Sequence, residues 1–430
     1  MSADSTVLAV PFAGERYAAT ARLSALIAPP YDVIAPEQRT RYAAQDPHNI
    51  VHVMLPEAPP AAAGQDRYAA AAALLTSWRA DGVLVRDPEP AAYVLAQDFA
   101  LPSGERRSRV GVFLAVSAEP YTARRIRPHE RTHSAPKADR LALLEATDTN
   151  IESIFLLAPD DDHRLADGLA GIADHPPTAT AELENVRLRL WEVGGQEAAG
   201  IAALASRGPL YIADGHHRFE TAVAYAARRR TALTGASRLL ALVVSAQDPG
   251  LVILPTHRIV FAGGLEEGKL LDSWRQWFDV GRVAPCADRI ERLAEIGRGR
   301  TACIVALPNG SDLTLVLKRD APLDKVPGLG KSPAARALDV ARIETLVVQA
   351  LLGASSTTPS LAYTPDPYAA FEAVRKGAAA AAVLLNPTRV DQVLAVADAN
   401  DVMPPKSTYF IPKVPSGMVL RSLRDDPQAA

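Results

Sequence analysis

The sequence predicts an α+β fold of mixed β-sheets with flanking helices, and three observations carry that prediction. Short apolar stretches bounded by Pro and Gly, such as residues 91–98, 109–116 and 301–306, read as strands. Longer stretches such as 66–81 and 389–399 place apolar residues at helical spacing. The two kinds follow one another without strict alternation, and several strands sit in hairpins, which disfavours a doubly wound parallel sheet. A chain of 430 residues suggests two or three packed units. The strand break at Phe261-Ala262-Gly263-Gly264 divides it into regions 1–264 and 265–430, the second closing the fold.

Taken in order, residues 6–12 form a short strand, and Pro29 and Pro30 hold 28–34 in an extended loop. A helix is expected over 36–45, a strand over 50–55, and a Pro/Ala linker over 57–64. The amphipathic helix over 66–81 places Leu74, Leu75 and Trp78 on one face. Strands 91–98 and 109–116 pair across Leu101-Pro102-Ser103-Gly104-Glu105. Residues 127–132 form a charged loop, 137–146 a helix and 154–157 a strand, while the polar, Pro-containing stretch 163–180 reads as a surface excursion. A buried strand over 210–213, a tight turn over 214–218 and a helix over 219–230 come next. Strands 238–245 and 252–260 flank the turn Gln247-Asp248-Pro249-Gly250. Helices are expected over 268–278 and 290–296, and a hairpin joins 301–306 to 312–317 across Pro308-Asn309-Gly310. One long helix over 333–352, a helix over 368–376, an Ala-rich strand ending at Leu385 and a helix over 389–399 lead to the closing segment 403–410.

Composition narrows the function. With 46 Lys+Arg against 49 Asp+Glu the net charge is −3, a poor basis for gripping a polyanion, so nucleic acid is not an expected partner. Cys286 and Cys303 are too few for a disulfide framework or a structural zinc site; two buried thiols, or a single bridge, in a reducing cytoplasm fit them. Residues 1–11 carry Asp4 and no apolar core of a signal peptide. The longest apolar run, 377–385, falls far short of the roughly 20 residues of a membrane span, so no membrane partner is expected.

The strand–turn–helix over 211–219 is the strongest candidate site. Gly215 lets the backbone approach a ligand, and a helix start presents N–H groups backed by the positive end of its dipole. Such a start binds phosphate or carboxylate. His216, His217 and Arg218 add side-chain donors at the same rim. The plainer reading, in which Asp214 caps the helix and the histidines are wetted, is compatible with it. Asp214, His216 and His217 lack the spacing of an intrinsic metal site, whereas a magnesium ion carried by a nucleotide stays open. Asp32, in its rigid Pro-Pro-Tyr loop, and Glu130, beside His129, are the carboxylates able to take a proton from a hydroxyl substrate. Each also has an ordinary reading, as turn chemistry or a solvated ion pair. His217 is a third catalytic candidate. Lys406, with Ser407 and Thr408, offers a second anion contact or a structural clasp. Gly328-Leu329-Gly330-Lys331-Ser332 imitates the end of a P-loop, but Lys325 stands where the first glycine belongs, and Ser332 before Pro333 reads as an ordinary helix cap.

The stretch YIADGHHRFET from Tyr211 resembles a signature of the domain of unknown function 1015 family of bacterial and archaeal proteins. APPYDVI from Ala28, NIVHVMLP from Asn49, RPHERT from Arg127, NPTRVDQV from Asn386 and MPPKSTYFIPK from Met403 are similar to its other blocks, in order along almost the whole chain. The resemblance implies a ParB/sulfiredoxin-like core, in which a Gly-containing turn ending in Arg holds nucleotide phosphates. Gly215, His216, His217 and Arg218 match that turn, with Asp214 before it. Sulfiredoxins carry a catalytic cysteine where His216 stands, so sulfinic-acid reduction is not implied; the acidic charge balance argues against the DNA-binding role of ParB proteins. The superfamily also includes free-serine kinases. The resemblance therefore implies a phosphotransferase that uses ADP or ATP with Mg²⁺ on a small hydroxylated metabolite, with L-serine the first candidate. A nucleotide-binding regulator without turnover is the alternative.

Overall fold

The computed structural model describes residues 7–57, 66–132, 134–261, 266–283, 289–308, 310, 312–353 and 360–424. The chain forms two compact units: residues 1–128, 132–252 and 412–430 make the first, and 129–131 with 253–411 the second. The α+β expectation holds: both units combine a sheet with flanking helices. Among the described residues no helix is long and apolar enough to cross a membrane. Cys303 is a buried free thiol, and burial pushes its pKa up; Cys286 lies outside the described residues.

The first unit is built on a nine-stranded sheet. Its strands are β1 (Ala9–Val10), β2 (Ala91–Ala100), β3 (Arg106–Ser117), β4 (Ile126–Arg127), β5 (Ile154–Ala158), β6 (Ala179–Leu183), β7 (Val186–Gly194), β8 (Leu210–Asp214) and β9 (Arg238–Ser245). The order is β4-β8-β5-β9-β3-β2-β7-β6, with β1 also paired to β3. β4–β8 and β5–β9 are parallel and the remaining pairs antiparallel. The β2–β3 hairpin has the expected register, Ala100 opposite Arg106 and Tyr93 opposite Phe113. β9 is buried along its whole length, as a central strand covered on both faces must be. Around the sheet lie α1 (Arg67–Ala80), α2 (Ser134–Thr147), α3 (Arg164–Ala173), α4 (Gly195–Ala205) and α5 (His216–Arg229). Leu165, Leu169 and Ile172 of α3, Ile201 of α4 and Phe219 of α5 join one core with Val94, Leu114, Leu156 and Val243 of the sheet. α1 packs on α2, and α2 on α5.

The second unit carries a six-stranded antiparallel sheet. Its strands are β10 (His257–Val260), β11 (Phe278–Val283), β12 (Ala302–Ala306), β13 (Asp312–Leu317), β14 (Leu361–Thr364) and β15 (Ala381–Leu385), in the order β11-β13-β12-β15-β10-β14. Leu293, Ala370 and Val374, from the helices Arg289–Ile296 and Pro367–Arg375, pack against Ile304 and Leu384.

Four local expectations are corrected. Residues 50–55 are not a strand: Val51–Met54 is a helix, started by Asn49, whose Oδ1 accepts from Val51 N at 2.9 Å. The excursion at 163–180 holds α3 instead; Leu165, Leu169 and Ile172 recur at helical spacing and are buried. The helix expected over 333–352 is interrupted at Leu338, whose ψ of 130° is extended, and becomes π-helical over Glu344–Val348. The helix after Gly215 starts at His216, so His216, His217 and Arg218 form its first turn instead of preceding it. The rejection of the P-loop reading holds. Ser332 Oγ accepts from Ala335 N at 3.1 Å, and the N–H groups of Lys331 and Ser332 donate to Asp401 Oδ2 at 2.8 and 2.7 Å.

Asn49 is fully buried and also donates from Nδ2 to the carbonyls of Ala25 and Ile27, at 2.8 and 3.1 Å. Asn49→Ala leaves two buried carbonyls and a helix start without partners. A loss of about 2–4 kcal/mol is expected in urea unfolding; a change within 0.5 kcal/mol, as at an ordinary surface position, would show that these bonds carry nothing.

Candidate functional site

β8 lies between β4 and β5, and its end is irregular. Tyr211 and Ile212 face Leu157 and Leu156, but the next partner of Phe155 is Asp214, so one extra residue is accommodated at Ala213. A bulge of this kind re-aims the side chain after it. Gly215 then turns the chain with φ +91° and ψ 30° and takes the N-cap position of α5. A Cβ there would lie 3.0 Å from Ile154 Cγ2 and 3.2 Å from Arg218 Cζ, so both the backbone angle and the space call for glycine. Intrahelical bonding begins with Phe219 N, which donates to Gly215 O at 2.9 Å. Phe219 is buried and stacks on Tyr121, ring centroids 5.1 Å apart, which seats the first turn of α5.

Asp214 does not cap this helix; its two oxygens are engaged elsewhere. Arg218 Nη2 donates to Oδ2 at 2.9 Å, and Lys413 Nζ stands 3.3 Å from Oδ1. Arg218 also donates from Nη1 to the carbonyl of Ser153, and its side chain is only 10% exposed. Burial works against its charge, but the carboxylates of Glu152, Asp214 and Asp32 outweigh burial and raise its pKa above the ordinary arginine value. Burial likewise pushes the Asp214 carboxyl up, and Lys413 and Arg218 overcome that and hold it at about 2. The Pro412-Lys413 segment is docked by buried side chains. Gln97 Nε2 donates to Lys413 O at 3.0 Å, and Arg109 Nη2 donates to Pro412 O at 2.6 Å. Arg109 lies over the Phe155 ring at 4.6 Å, and burial lowers its pKa to about 9 against the opposing charges of Asp248 and Asp214.

The sequence candidates fall into two groups. Asp32 belongs to the first unit; it is exposed on the single turn Tyr31–Val33, and its charge reaches Arg218 and Glu152. Asp214, Gly215, His216, His217 and Arg218 are contiguous in the same unit, with His216 buried and His217 half-buried. Glu130 and Lys406 belong to the second unit. There Glu130 acts on Tyr363 through its charge, after burial, Glu344 and Arg258. Lys406 is exposed with φ +55°. Its neighbours are bonded as a clasp: Ser407 Oγ donates to Pro404 O at 2.6 Å, and Thr388 Oγ1 to Ser407 O at 3.0 Å. His129 ties into the same clasp, with Nε2 3.2 Å from Thr408 Oγ1 and its carbonyl accepting from Met403 N at 2.8 Å. The outer residues of RPHERT serve the first unit. Arg127 lies over the Tyr211 ring at 5.6 Å, and Thr132 donates to Glu220 of α5 at 2.7 Å.

Three charged residues of the site escaped the sequence reading. Lys413 is the last residue of the MPPKSTYFIPK block, but nothing local distinguishes it from Lys406. Glu152 and Arg140 meet at 3.5 Å although they sit in a strand approach and a helix. A carboxylate two residues ahead of a fully buried strand was the one hint that Glu152 would be drawn inside.

The family described as "Protein of unknown function (DUF1015)" matches residues 9–341. The chain belongs to this family. No curated protein matches the chain. Among solved structures, a conserved hypothetical protein from Pyrococcus furiosus is similar at 12% identity, covering 74% of this chain and 93% of that one, with a TM-score of 0.33. A free serine kinase in complex with AMP is similar at 11% identity, over 74% and 90%, with a TM-score of 0.35. SbnI with a C-terminal truncation, from Staphylococcus aureus, is similar at 11% identity, over 69% and 82%, with a TM-score of 0.35.

The charge balance at Asp214 generates a signed prediction. A carboxyl held at about 2 contributes stability above its unfolded pKa near 4, and that contribution is lost as pH falls toward 2. Lys413→Met should raise the Asp214 pKa and destabilise the protein at pH 7 by about 1–2 kcal/mol. The gap between mutant and wild type should narrow between pH 4 and pH 2.5 in urea unfolding. A gap that does not change with pH would mean that Lys413 acts by packing alone.

Proposed function

We propose that this member of the DUF1015 family binds a nucleotide with its phosphates at the Gly215 turn and transfers a phosphoryl group to the hydroxyl of a small metabolite, free L-serine being the first acceptor to test. The observation that carries this reading is the turn itself. A bulged strand end and a positive-φ glycine open a 14-residue helix beside Lys413, Arg218 and His216, and an exposed carboxylate, Asp32, lies within electrostatic reach of the same Arg218. A helix start with cations around it suits phosphate oxygens. Phosphoryl transfer asks mainly for positioning and charge neutralisation. The ParB/sulfiredoxin-like core implied by the sequence blocks supports the same placement, and a reducing cytoplasm is the proposed setting.

In this reading the residues divide the work. The first-turn N–H groups of α5 and His217 orient the phosphates. Asp214 holds Lys413 and Arg218 in place instead of touching the ligand. Asp32 accepts the proton of the acceptor hydroxyl, whose oxygen then bonds to the terminal phosphorus as the bond to the leaving phosphate oxygen breaks. Glu130 and Lys406 belong to the second unit and take no part in this reading. Among the described residues no group of three or more His, Cys, Asp or Glu is placed to hold a metal. A Mg²⁺ ion would therefore arrive on phosphate oxygens and water, as it commonly does, and would neutralise their charge. One observation favours the regulator without turnover: Arg218 already spends its donors on Asp214 and Ser153, which suits a rigid holding site.

Incubation with ADP or ATP, Mg²⁺ and serine is expected to give O-phosphoserine by phosphorus NMR. Asp32→Asn should lower turnover by roughly 10²–10⁴-fold while leaving the rise in melting temperature produced by nucleotide unchanged. Nucleotide stabilisation without product across a panel of hydroxy amino acids would select the regulator. No stabilisation by any nucleotide would remove both readings.

A further inference from the structure

Asp32 stands on a short turn that has few ways of being held. Pro29 and Pro30 have no N–H to give, so the first backbone donor ahead of Asp32 is Tyr31. That N–H donates to Glu152 Oε1 at 3.0 Å. The other oxygen of Glu152 stands 3.5 Å from Arg140 Nη1, and both side chains are 6% exposed. Arg140 lies over the Tyr31 ring at 4.4 Å and is itself fixed, by Met54 O at 2.8 Å and by Asp139 Oδ2 at 2.6 and 2.9 Å. The next residue along, Ser153, gives its carbonyl to Arg218. Two adjacent residues thus grip the Asp32 turn on one side and the guanidinium behind the Gly215 turn on the other. A cavity of about 60 Å³, room for one or two waters, adjoins them, lined by Glu152, Arg140, Arg218 and Thr221. Thr221 Oγ1, on its lining, and Ser153 Oγ are buried without a partner.

We propose that Glu152 is the positioning residue of the site: its carboxyl group latches the Tyr31–Val33 turn to the strand approach that holds Arg218, and so fixes Asp32 relative to the Gly215 turn. The proposal rests on the reading of Asp32 as proton acceptor for its effect on turnover, but the latch itself does not depend on it. The groups acting on Glu152 are the buried surroundings and Asp32, which push its pKa up, and Arg218, Arg140 and the Tyr31 N–H, which oppose them; the net direction is upward. A carboxyl whose pKa is raised in the closed site favours the closed state on acidification, so low pH does not open the latch.

The test uses the full chain and hydrogen exchange, corrected for intrinsic rates, with Glu152→Gln, which keeps an acceptor and removes the charge, and Glu152→Asp, which keeps the charge. In Glu152→Gln, exchange at Tyr31–Val33 is expected to rise roughly tenfold at pH 8 while α5 is unchanged. Glu152→Asp should recover protection in part. Turnover should fall with KM for nucleotide held within about twofold, the split of a residue that positions the proton acceptor. Unchanged exchange at Tyr31–Val33 in Glu152→Gln, or a rise spread equally over α5, overturns the latch. If the wild type proves to have no phosphotransfer activity, the exchange arm still decides for or against the latch, and the failure then belongs to the function alone.

Discussion

The ion pair of Asp214 and Arg218 across Gly215 is the constraint on which the rest of the site depends. It spans one turn of chain, and it is possible only because Gly215 takes a positive φ and lets the guanidinium pass within 3.2 Å of where a Cβ would be. Its two members belong to different layers, Asp214 to the end of a sheet strand and Arg218 to the first turn of α5. The pair therefore fixes the angle at which the helix leaves the sheet. The stack of Phe219 on Tyr121 secures the same junction from the apolar side.

A buried pair of this kind is not a free gain. Two charges taken out of water cost several kcal/mol before their attraction is counted. Here the cost is offset by distribution: Arg218 answers three carboxylates and a carbonyl, and Asp214 answers two cations. No member can be removed without stranding another, which is why truncating Arg218 would say little about ligand contacts. Lys413 stands at the rim of this network, less deeply held than Arg218, and it reports on the electrostatics with less damage to the fold.

Much of this was legible in the residues. The β2–β3 hairpin is read from two apolar stretches joined across a Pro-Ser-Gly loop, and α1 from the spacing of Leu75 and Trp78. Helix Val51–Met54 was not legible, because VHVM has the β-branched alternation of a strand and its helicity comes from one buried side chain, Asn49, bonding to a segment more than twenty residues away. The break at Leu338 has no Pro or Gly in the sequence to announce it. At the site, the local part was readable, since Gly215 and its neighbours are contiguous. Lys413 was not: it lies 199 residues from Asp214, and no pattern in one sequence reports a pair at that separation. Glu152 and Arg140 failed for the same reason, and because a buried ion pair imitates surface charge in a composition profile.

Two Gly-containing helix starts of the chain are finished in different ways. At Gly328 to Ser332 the N–H groups of Lys331 and Ser332 are taken by the chain's own carboxylate, Asp401, and Ser332 caps the helix that begins at Pro333. That start has an internal anion and needs no other. At Gly215 the nearest acid, Asp214, is turned by the bulge toward Lys413 and Arg218, and the cap position carries no side chain at all. The chain also opens α4 at Gly194 without a side-chain cap, so the bare cap position does not by itself set the Gly215 turn apart. What distinguishes it is that the carboxylate ties two cations to the strand end, within a network that Glu152 and Asp32 complete.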